Sequence, residues 1–161
     1  MDTMRTYINV LIDTLQKKKS VLEQIQISTE QQKFLMQQES FDETQFQQMM
    51  EQKDKLLQEL EKLDNGFEQI YERVALALKH NKELYKEEVL TAQDLIRSIM
   101  DLSVSIQALE EQNKQRFTAC MASKRGKIRE FKVSNRAAAN YYKNMPSTHQ
   151  TGHSYFMDQK K

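Results

Sequence analysis

Among 161 residues only 3 are glycine and 1 is proline, and this scarcity constrains the fold more than any other feature of the sequence. Turns, hairpin loops and strand ends draw on those two residues first, because glycine supplies positive φ and proline presets a turn. A β-sandwich, a β-barrel or a loop-rich α/β enzyme needs many such turns, so all three are close to excluded. The chain is expected to be all-α. With 39% hydrophobic and 29% charged residues, each helix has apolar surface for one stripe and little more, which suits long amphipathic helices lying side by side in one domain.

From Met4 the positions Met4, Ile8, Leu11, Leu15, Lys18, Leu22, Ile25, Thr29, Gln32 and Met36 alternate steps of four and three, which keeps them on one face of a slightly underwound helix. The spacing predicts a first helix over about 3–38. Polar Lys18, Thr29 and Gln32 on that seam imply looser packing at the far end than at the leucine-rich start. Asp42 is placed to cap a second helix, with Gln45 closing a capping box and Phe41 stapled onto Phe46. The seam resumes at Phe46, Met49, Lys53, Leu56 and Leu60 and continues through Leu63, Phe67, Ile70, Val74 and Ala77. Its rhythm passes straight across Asn65 and Gly66. That pair reads either as a turn or as a weak point in a continuous helix, and the unbroken phase favours continuity over about 43–79.

The polar run from Lys79 to Glu83 gives the chain a place to reverse, and Ala92, Leu95, Ile99, Leu102, Ile106 and Leu109 form a third seam. Nothing opposes helix until Gly126, so the third helix is expected over about 83–130. Up, down and up make an antiparallel three-helix bundle, coiled-coil-like, over 1–130. Residues 131–161 are expected to be a flexible, basic, partly disordered C-terminal tail, because Pro146 to Ser154 lacks periodicity and is rich in turn formers.

No set of residues assembles a catalytic site, so no enzyme, cofactor or metal is expected. Cys120 lies between Arg116 and Lys124 but reads as a small apolar seam residue. His149 and His153 are four apart, yet Pro146 and Gly152 work against the helix that would aim both at one ion. Glu87, Glu88, Asp94 and Asp101 scatter over helix surface and gather no oxygen cage. The 9 methionines suit gap filling or a surface that adapts to several apolar partners.

Partner binding is the more informative reading. Two helices of about 36 residues are about 54 Å long and cover a third only to about residue 119. Phe117, Met121, Ile128 and Phe131 continue its apolar stripe and are expected to lie beyond what the bundle can bury; an exposed stripe of this kind usually has a partner, unless the chain folds back or dimerises over it. Charge divides along the chain as well: residues 1–110 carry a net −7 and residues 111–161 a net +8. The basic stretch from Lys124 to Lys132, followed by Arg136, Tyr141, Tyr142 and Lys143, interleaves cations with aromatics as a nucleic-acid or acidic-protein surface would, and reads equally as a solubilising end that balances the acidic bundle. No nucleic-acid motif accompanies it, and nucleic acid is not an expected partner.

In order and proportion these features resemble the FlgN-type flagellar export chaperones. The resemblance covers about residues 4–131: a long first helix with Leu and Ile seams, a second helix running from Glu51 through Lys53, Leu56 and Leu57 to Leu60, and a third with Leu102, Leu109 and Asn113. It implies a cytosolic, non-enzymatic chaperone for type III flagellar secretion. Such a protein holds the C-terminal helices of hook–filament junction proteins before export and meets the export apparatus. It further implies that Met100, Val104, Phe117, Met121, Ile128 and Phe131 contact the client; Tyr141 and Tyr142 lie beyond the stretch the resemblance covers and are expected to meet either client or apparatus. FliT-type chaperones, which bind the filament cap protein, fit the same pattern. From the residues alone, a structural coiled-coil adaptor that self-associates through the third helix is the alternative. One cysteine, polar Asp2 and Asn9 near the start and no run of 18 apolar residues lead to an expected cytoplasmic location without membrane insertion.

Overall fold

A computed structural model describes residues 3–38 and 42–123, with backbone alone at 121–123. These residues form three helices, α1 (Thr3–Gln37), α2 (Glu43–His80) and α3 (Lys86–Ser123), and no strand occurs among them. The all-α three-helix bundle expected from the glycine and proline content is the observed fold. None of the helices is long and apolar enough to cross a membrane.

Helix α1 is the central member. It packs against both α2 and α3, whereas no α2 backbone position comes within 8 Å of α3 between Cα atoms among the described residues. Two-sided packing requires a wider stripe than one seam. Ile8, Leu11, Leu15, Leu22 and Ile25 are buried as the seam predicts, and Val21, Ser28 and Leu35 form a second buried row at a spacing of seven. The main core unites these with Leu57, Leu60 and Val74 of α2 and Ile96, Ile99 and Ile106 of α3. At the end where α2 turns into α3, Arg5 of α1 pairs with Glu88 and lies 5.4 Å from the Tyr85 ring centroid.

Asp42 caps α2 as expected, its carboxylate accepting from the Gln45 backbone N–H at 3.1 Å. The Phe41 staple lies outside the described residues. Asp42→Ala leaves that donor to water and should lower stability by about 1 kcal/mol, read as a fall in the urea midpoint.

Helix α2 runs unbroken through Asn65 and Gly66. A Cβ built at Gly66 meets nothing within 4 Å, so Gly66→Ala should stabilise the fold by about 0.5–1 kcal/mol through reduced backbone entropy in the unfolded chain. A higher thermal midpoint checks it.

The α2–α3 reversal is longer than the sequence suggests. Asn81 closes α2 by donating from its backbone N–H to the Ala77 carbonyl at 3.0 Å, and Leu84 N–H donates to the Asn81 carbonyl at 3.2 Å. Helix α3 therefore begins at Lys86, where residue 83 is expected from the sequence, and Tyr85, just before it, is buried in the main core. The expected stretch of helix over 124–130 and the tail over 131–161 lie outside the described residues.

Candidate functional site

The residues expected to bind a partner do not share one surface. Met100 is half-buried and packs on the main core. Val104, one turn on, is 65% exposed. Phe117 is the correction: it is only 5% exposed and stacks on Phe46 of α2, ring centroids 6.2 Å apart. The bundle therefore still covers α3 at Phe117, and this residue belongs to a second buried cluster with Leu35, Phe46, Met49 and Met50, against which Cys120 also packs. Met121 is helical, its side chain not described, and Ile128, Phe131, Tyr141 and Tyr142 lie outside the described residues.

An exposed apolar surface occurs elsewhere, between α1 and α2. Ile27 is 55% exposed and Phe34 is 61% exposed; seven residues apart, they lie on one face of α1, about 10.5 Å from each other along the axis. Phe34 and Leu35 of α1 with Met49 and Gln52 of α2 line a groove of about 640 Å³. A shallower depression of about 430 Å³ continues it past Ile27, Gln52 and Leu56. Most of the rim is amide: Gln31, Gln38, Gln45 and Gln48 and Gln24, broken by Asp42, Lys55 and Glu59. Such a rim hydrogen-bonds as donor or acceptor and carries little net charge. The sequence held a signal for this site, two large apolar residues seven apart and off the seam.

Across the bundle at the same height runs a buried polar layer. Lys53 Nζ, on α2, donates to Gln32 Oε1 of α1 at 3.2 Å and pairs with Glu110 of α3. Thr29 Oγ1 donates to the Ile25 carbonyl at 2.7 Å and lies 3.3 Å from Glu110 Oε1. Asn113 Nδ2 donates to the Thr29 carbonyl at 2.9 Å, and Arg116 Nη1 donates to Asn113 Oδ1 at 3.2 Å. All three helices thus meet through side chains where α2 and α3 are too far apart for backbone contact. A second buried lysine, Lys18, pairs with Asp64.

Desolvation by burial is the larger influence on Lys53 and pushes its ammonium from the ordinary 10.5 down to about 7, with the Asp54 carboxylate pulling back. Lys18 is also lowered by burial, against the attraction and hydrogen bond of Asp64. Between about pH 7 and 10.5 the unfolded chain therefore holds a proton at Lys53 that the folded chain has released, so stability rises with pH across that window. The slope is at most about 1.4 kcal/mol per pH unit for one proton. The thermal midpoint should climb from pH 7 to pH 9, and Lys53→Met should remove most of the climb.

No group of three or more His, Cys, Asp or Glu among the described residues is placed to hold a metal ion. Comparison with protein-family models, with curated proteins and with solved structures gives no match.

Proposed function

We propose that this chain is a cytoplasmic chaperone for type III flagellar secretion that holds the amphipathic C-terminal helix of a hook–filament junction protein before export. The observation that supports this reading most is the α1/α2 groove, where exposed Phe34 lines the deeper part with Leu35 and Met49 and exposed Ile27 lines the adjoining depression with Leu56. A helix laid in such a groove anchors itself with apolar side chains at i, i+3, i+4 and i+7, and the exposed pair on α1 has the matching spacing. The amide rim suits the polar flanks of a client helix of low net charge. The resemblance to FlgN-type chaperones supplies the client class, and the long, slim bundle agrees with it. In this reading the client contacts the exposed α1/α2 groove, and Phe117, which is buried, supports that groove from within through the cluster it shares with Leu35 and Met49.

The test is calorimetric titration of the full chain with C-terminal helix peptides of the hook–filament junction proteins encoded in the same genome. Wild-type protein should bind. Ile27→Glu with Phe34→Glu should weaken binding at least about 100-fold, since each buried apolar side chain contributes about 1.5–3 kcal/mol, while far-UV circular dichroism stays unchanged. Absence of wild-type binding to any of these peptides would overturn the reading. A dimer that Val104→Asp dissociates in the ultracentrifuge would instead support the self-associating adaptor.

A further inference from the structure

We infer that the end of the bundle containing the α1–α2 connection opens as a unit about the layer formed by Thr29, Gln32, Lys53, Glu110 and Asn113, while the main core stays closed. The inference is independent of what the groove binds.

Two buried clusters are found in one slim bundle, and they share no member. The main cluster ends at Ile25, Leu57 and Ile106, and the smaller begins at Leu35, Met49, Met50 and Phe117. Between them every helix places polar groups inward: Ser28, Thr29 and Gln32 on α1, Lys53 on α2, Asn113 on α3, with Glu110 joined to Lys53. Cooperativity along a bundle comes from apolar contacts that continue from layer to layer, because exposing any one of them to water is unfavourable. A polar layer breaks that continuity. Opening there returns Lys53 and Glu110 to water, which recovers the desolvation cost of both charges and offsets the loss of their mutual attraction.

Little else holds this end. Five buried side chains make up its cluster, against sixteen in the main one, and the groove cuts into it at Phe34, Leu35 and Met49. No basic residue lies in the last turn of α1 to complement the helix dipole. Opening would uncover Phe46, Met49, Met50 and Phe117, an apolar and methionine-rich surface continuous with the groove.

Native-state hydrogen exchange on the full chain tests this, with the opposite end as internal control because both ends have fraying helix termini. Amides of residues 33–36, 46–52 and 114–120 should exchange at least about 100-fold faster than those of residues 11–25 and 57–74. They should also exchange faster than residues 74–78 and 89–93 at the other end. Lys53→Met with Glu110→Met joins the two clusters and should bring the distal amides to within about tenfold of the main core. Phe46→Leu, a milder change, should accelerate distal exchange alone. Equal protection of both ends in the wild type would overturn the inference, as would a difference that the Met pair leaves intact. Uniform acceleration by Phe46→Leu would overturn it too, since the bundle would then be one cooperative unit.

Discussion

Glu110→Ala, measured at pH 6, should cost the fold about 3–5 kcal/mol, the usual penalty for leaving one member of a buried ion pair alone. Burial pushes the Lys53 ammonium down to about 7 in the intact pair, so a pH below that favours the charged lysine in the protein from which the loss is measured. The Lys53 side chain is 1% exposed and that of Glu110 is 12% exposed, so water cannot replace the lost carboxylate without distorting the layer. Gln32, at 3.2 Å, offers a neutral oxygen and compensates only in part. The cost should shrink as pH rises, since a lysine that has lost its proton no longer needs a counter-charge. Lys53→Met with Glu110→Met should be close to neutral or stabilising. Urea denaturation of the three proteins decides the matter: a single-variant loss below about 1 kcal/mol would mean that the pair is effectively solvated.

Phe117→Asp should melt the distal end of the bundle. Truncating a buried phenylalanine costs about 3–5 kcal/mol, and a carboxylate facing Phe46 and Met50 adds desolvation without any partner. The expected result is a large loss of helical circular dichroism at temperatures where the wild type is folded. Val104→Asp, one aspartate on an exposed face of the same helix, should stay within about 0.5 kcal/mol of wild type. Were the two variants to melt alike, the stack of Phe46 on Phe117 would have no energetic weight.

Phe117 also marks the limit of what the sequence discloses. Period and phase placed all three helices, because a four-three rhythm has only one structural meaning over thirty residues. They carried α2 through Gly66 for the same reason. They did not say which helix lies in the middle. Val21, Ser28 and Leu35 follow the seam of α1 one step behind, and their burial depends on a second neighbour that periodicity along one helix cannot reveal. Likewise, the register that puts Phe117 over Phe46 depends on how far the α2–α3 turn extends, and that turn runs to Tyr85, three residues later than the seam spacing suggests. The groove was legible only as two off-seam residues, Ile27 and Phe34. Lys53 was visible as a seam lysine, but its pairing with Glu110 needed three dimensions.

The central position of α1 also bears on the order in which the fold assembles. Contacts of α1 with α2 span 21 residues between Gln32 and Lys53 and 66 between Tyr7 and Arg73. Those with α3 span 83 from Arg5 to Glu88 and 84 from Thr29 to Asn113. Closing the shorter loops loses less chain entropy, and synthesis delivers α1 and α2 first. The α1–α2 hairpin is therefore the natural nucleus, with α3 docking onto it as the slower, long-range step. Both walls of the groove belong to that hairpin, yet Leu35 and Met49 pack in one cluster with Phe117 of α3, so the surface is finished only when the last helix docks.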